Sequence, residues 1–166
     1  MEINFLVIAL AALVPISVGS IYYHPKVFGI AWMSVAGLTE EQLKGANMAL
    51  IVGLTFVFSF LIAFLLQTMV IHQFHMYSVL AEEPGMNDPA TPVGKYFADF
   101  MATYGDRFRT FKHGAFHGVL TSLFFVMPVI GINALFERKK FKYTLIHTGF
   151  WAICLGLMGG IICEFV

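Results

Sequence analysis

Six histidines carry the side chains whose type and spacing best suit chemistry at a defined point in this sequence. Four of them form two close pairs, His72 with His75 at i,i+3 and His113 with His117 at i,i+4. On a helix either spacing puts both rings on one face. Imidazole ligates zinc, copper, iron or nickel, so His72, His75, His113 and His117 form a candidate metal set that Glu164 or Asp106 would complete. The pattern is incomplete, because no glutamate follows His113 as in an HExxH motif and no cysteine pair joins the set. Other chemistry finds less support. Thr121 and Ser122 sit in an apolar run with no adjacent acid to orient a base. No phosphate loop, dinucleotide fingerprint or metalloprotease motif is present, so no catalytic or cofactor-binding residue is assigned. Cys154 and Cys163, nine residues apart in one apolar run, would stand about 13 Å apart along a helix. That exceeds the ~7 Å a disulfide tolerates between Cα atoms, and both read as inert thiols.

The elements that hold these histidines follow from composition. The chain has 166 residues, 58% hydrophobic and 12% charged, with a mean hydropathy of +0.78. So few charges cannot cover a compact soluble fold. Ten Lys and Arg balance ten Asp and Glu, which excludes a nucleic-acid binder. Four apolar segments, at about 3–23, 48–71, 115–136 and 143–163, each reach the ~20 residues that cross a bilayer as helix. The expected fold is an all-α integral membrane bundle of four transmembrane helices forming a single domain over 1–166. Val18-Gly19-Ser20 offers small residues for signal cleavage, but Glu2 stands where a signal peptide carries basic residues. An uncleaved first helix bent at Pro15 is expected instead.

Alternating the helix directions sorts the histidines by depth. His72 and His75 end the second span and His113 and His117 open the third, so these four share one end of the bundle with Cys163 and Glu164. His24 and His147 belong to the other end, near Glu137. His117 and His147 are then too far apart in depth to be axial ligands of one haem, which is disfavoured, while a transition metal at the four-histidine end stays open. The competing reading, which the sequence alone favours, has these histidines as interfacial residues bonded to water or lipid headgroups. Lys26, Lys44, Arg138, Lys139, Lys140 and Lys142 lie on one side, against Lys95, Arg107, Arg109 and Lys112 on the other. Six against four makes the short basic loop cytoplasmic and puts both termini outside a cell membrane.

The connections also carry signals. Thr39 with Gln42 forms a capping-box pattern, from which the second helix is expected to begin outside the bilayer and bend at Gly45. Glu82 to Pro92 reads as a loop and Thr91-Pro92 as a helix start. Tyr96, Phe97, Phe100, Met101, Tyr104, Phe108 and Phe111 then recur at helical spacing. They suggest an additional amphipathic helix in the membrane interface between helices 2 and 3. Tyr22, Tyr23 and Trp32 read as an aromatic belt. Gly114, Gly118 and Ser122, and likewise Ala152, Gly156 and Gly160, form small-residue seams suited to close helix approach, within the bundle or in a homo-oligomer.

Two stretches resemble a known family. Tyr22-Tyr23-His24-Pro25, Phe28-Gly29-Ile30-Ala31-Trp32-Met33 and Gly37-Leu38-Thr39-Glu40-Glu41 open the resemblance. Asn133-Ala134-Leu135-Phe136-Glu137, Ile146, Gly149-Phe150-Trp151 and Leu157-Met158-Gly159 close it. They are similar to the domain-of-unknown-function 1761 family of small, mostly bacterial membrane proteins with about four spans. The resemblance implies a bacterial inner-membrane setting and no catalytic residues; the long connection between helices 2 and 3 departs from the family pattern. A binding or interaction bundle in contact with membrane lipid is the expected function, with a metal-binding enzyme or carrier as the alternative.

Overall fold

In the computed structural model, which describes residues 3–166, the described residues are mostly helical and contain no strand. Glu2 lies outside the described residues. Among the described residues, four helices are long and apolar enough to cross a membrane: α1 (Phe5–Tyr22), α4 (Met48–Val70), α7 (Phe111–Phe136) and α8 (Phe141–Phe165). Between them lie the shorter α2 (Ile30–Ala36), α3 (Glu40–Lys44), α5 (Gln73–Leu80) and α6 (Pro92–Tyr104). The most apolar stretch of α8 is 56% buried, against 28%, 17% and 11% for α1, α4 and α7, so α8 is the axis around which the others pack. The outer helices turn Phe58, Leu61 and Leu65 of α4 and Phe124, Phe125 and Leu135 of α7 outward. Apolar faces of this extent are a liability in water and suit a hydrocarbon surround.

Local chemistry sets where each helix starts and breaks. The helix of α1 is interrupted at Ala12–Leu13, because Pro15 has no N–H to offer the Ala11 carbonyl. Thr39 and Gln42 form the expected reciprocal cap, at 3.3 and 2.9 Å. The helix it starts, α3, nevertheless ends at Lys44, and the Asn47 side chain caps α4 anew by accepting the Leu50 N–H at 3.1 Å. The second span is therefore a separate helix and not one that bends at Gly45. Thr110 caps α7, which starts at Phe111, four residues before the expected start at 115. A single π-helical turn over Ser122–Val126 follows; Pro128 cannot donate to Phe124, and the wider turn before it absorbs the mismatch.

Two further expectations are corrected. The aromatic series does not run as one helix to Phe111: α6 stops at Tyr104, Gly105 is its C-cap, and Phe108 takes a left-handed backbone at φ 66°. Tyr22 is no belt residue either. It is 7% exposed and its hydroxyl donates to the Ile146 carbonyl of α8 at 2.9 Å, holding α1 to the axis.

The α7 seam packs within the chain, but on Leu155 and Gly159 of α8 and not on the expected Ala152, Gly156 and Gly160, of which Gly156 faces Val119 and Gly160 the Phe111 ring. A Cβ on Gly114 would collide with the Gly159 carbonyl, and one on Gly118 with that of Leu155. Backbone lies directly on backbone, so α7 and α8 gain dispersion contact that larger side chains would forbid. The Ser122 hydroxyl continues the seam by donating to the Thr148 carbonyl at 3.1 Å.

Candidate metal centre

Three of the histidines converge where α4 ends and α7 begins. Ile71 breaks out of α4 into an extended conformation (φ −110°, ψ 99°) with its side chain fully buried, which swings His72 to the start of α5. His113 and His117 project from successive turns of α7 toward it. The His72 and His113 Nε2 atoms are 2.9 Å apart. Ring centroids stand 5.0 Å apart for His72–His113, 5.1 Å for His72–His117 and 4.5 Å for His113–His117. One ligand nitrogen from each ring falls within 4.8 Å of the other two. Zinc holds imidazole nitrogens at about 2.0–2.1 Å, so shifts of about 1 Å would let one ion touch all three. His72 is exposed and the other two are half-buried, which leaves the triad open on one side.

The support around the triad comes from the loop between α6 and α7. Phe108 stacks on the His113 ring at 5.0 Å and 17° between planes, and meets His72 edge-on at 6.3 Å. Its left-handed backbone is costly for a bulky residue. Gln73 holds that loop, its side-chain amide donating to the Tyr104 and Arg107 carbonyls at 2.9 Å each. The Cys163 thiol lies 3.3 Å from the Val70 carbonyl and 3.4 Å from that of Phe108, joining α8 to both ligand-bearing segments. Arg109 donates to the Cys163 and Val166 carbonyls, where a cation complements a helix C-terminus.

The remaining candidates lie elsewhere. His75 is exposed and lines the same open depression as His72 and His117 without joining the three-ring group. Glu164 and Asp106 line a different hollow with Arg109, beyond the end of α8. At the other end of the bundle His24 accepts the Lys26 N–H at 3.2 Å, and His147 Nδ1 sits 3.1 Å from the Tyr23 hydroxyl. Gln73 was not singled out by sequence, and Phe108 only as one of the aromatic series of the expected interfacial helix. Gln73 had one signal, a polar side chain between His72 and Phe74 where an apolar run ends.

The family model described as "Protein of unknown function (DUF1761)" matches residues 6–163, nearly the whole chain. No curated protein and no solved structure matches it.

Proposed function

The chain belongs to the DUF1761 family, whose function is unknown, and from that premise we propose that it is a multi-pass membrane protein that binds one transition-metal ion, zinc foremost, on His72, His113 and His117. The observation that carries this reading is the approach of three imidazole nitrogens from two helix ends to within 4.8 Å of one another. Three neutral nitrogen ligands with one side open match the arrangement in which zinc keeps a fourth position for water or a further ligand. The ion would supply Lewis acidity there, polarising whatever oxygen occupies that position. His75, on the rim of the same depression, is a titratable group that could move a proton to or from it. The basic loop between α7 and α8 supports a cytoplasmic position for that end and an outward-facing metal site, with both termini outside. In this reading α6 lies along the outer membrane surface, with Tyr96 and Tyr104 exposed and Gly94 buried against the protein.

Elemental analysis of detergent-purified, tag-free protein tests the reading. About one equivalent of metal is expected, lost in the H113A/H117A double variant while the protein remains folded by circular dichroism. Background metal in the wild type after incubation with zinc, cobalt and nickel salts, or equal metal in the folded variant, overturns it.

A further inference from the structure

Beside the histidines, a groove runs from the depression they line into the depth of the bundle. α4 meets α7 within Phe111–Thr121, at the histidine end; beyond it the two helices part. The gap is a groove of about 580 Å³ floored by Trp151 and Leu155 of α8, with Ile62 and Leu65 on one wall and Val129 and Ile130 on the other. Met69, Thr121 and Phe125 line both this groove and the depression holding His72, His75 and His117, so the two are continuous. From Ile62 to the end of α4 at Val70 is eight residues, about 12 Å of rise. That is close to the ~15 Å of hydrocarbon in one leaflet. The groove is thus about as long as one acyl layer is deep.

Resting on the metal-binding reading, we propose that this groove and the histidine triad together form one binding site for a fatty acid, its alkyl chain in the groove and its carboxylate on the open position of the metal. Each half of the site selects one half of that molecule. The walls are almost wholly apolar and offer a chain nothing but dispersion contact. The volume lies within the ~300–1,000 Å³ of small-molecule sites and suits one chain better than two. At the mouth, carboxylate oxygen is the oxygen ligand that zinc takes alongside imidazole. An annular lipid would lie against the same walls, but its occupancy would not depend on the metal.

The test uses the full-length, Co²⁺-loaded protein in phosphatidylcholine nanodiscs, where visible absorption reports the cobalt coordination sphere directly. Titration with laurate is expected to shift the cobalt bands saturably. Laurate concentrates in any bilayer, so the deciding comparison is V129W, which fills the groove from a position 47% exposed and away from the ligands. V129W should keep the cobalt bands of the wild type and bind laurate at least about tenfold more weakly, with its response to acetate unchanged. If V129W does not fold, L65W on the opposite wall, at a residue 62% exposed, takes its place. Equal laurate response in the wild type and a folded groove variant overturns the proposal. So does a band shift with phosphatidylglycerol nanodiscs alone, which would assign the mouth to a phospholipid phosphodiester. Failure of cobalt bands to form at all refutes the metal centre itself, and is seen before any laurate is added.

Discussion

A metal on the triad would tie the end of α4 to the start of α7, and its removal should be read as lost stability. His72 stands at the junction of α4 and α5, while His113 and His117 stand on α7. An ion bound by all three exists only in the folded state, where these segments are adjacent. At free zinc one hundred-fold above its dissociation constant, linkage gives about 2.7 kcal/mol of added stability. For a chain of this length one kcal/mol moves Tm by about 2–4 °C, so zinc should raise Tm by about 5–11 °C. Cys154 and Cys163 are both buried and free, so a thiol-reactive fluorophore reports unfolding; circular dichroism follows the same transition without thiol chemistry. H72A, H113A and H117A should each abolish most of the shift, whereas H75A and E164A should keep it, because neither residue joins the three-ring group. No shift in the wild type, or a shift that survives H113A but not H75A, would refute the three-residue assignment.

Four more outcomes are expected. G118A should cost about 1–3 kcal/mol of stability, because its methyl group meets the Leu155 carbonyl. G53A, on the same thermal assay, should gain about 0.5–1 kcal/mol, since a Cβ at Gly53 meets nothing within 4 Å and alanine is the better helix former. The zinc-induced rise in Tm should shrink as pH is lowered from about 7.5 to 5.5; ligation needs neutral imidazoles, so protons compete with the metal from the acid side. Q73A should weaken zinc affinity by about tenfold in a competition titration with a chromophoric chelator and leave the stoichiometry at one, because it frees the loop that seats Phe108 on His113.

The four long helices were legible because they rest on a local rule. A run of about 20 apolar residues has one stable form in lipid, and no tertiary information is needed to find it. The same holds for the caps at Thr39 and Thr91, each of which bonds a backbone N–H three residues on; Thr110 follows the same rule but was missed, because the polar residues around it hid the start of α7. Errors gathered at Gly45 and after Tyr104, where a helix stopped and another began under its own cap. Periodicity carries across such a stop, since the aromatic spacing up to Phe111 continues whether or not the hydrogen bonds do.

The triad was legible only by halves, and the reason lies in which relations are short-range. His113 and His117 are four residues apart on one unbroken helix, so their common face follows from helix geometry alone. His72 and His75 looked equivalent at three residues apart, yet the break at Ile71 left one ring in the group and the other on its rim. No proline or glycine marks that break; it is fixed by burial of the Ile71 side chain in the core shared with α8. Glu164 lies apart from the three rings for a related reason. It follows Cys163, and on a helix consecutive residues point about 100° apart, so when Cys163 turns inward to Val70 and Phe108, Glu164 cannot. Membership of the site was therefore decided by how each helix is rotated about its own axis, which the glycine seam sets for α7 against α8. That gives the seam a role beyond packing. A residue larger than glycine at position 118 would push α7 away from the axis and carry His113 and His117 from His72, so G118A should weaken metal binding as well as stability even though Gly118 touches no ligand ring.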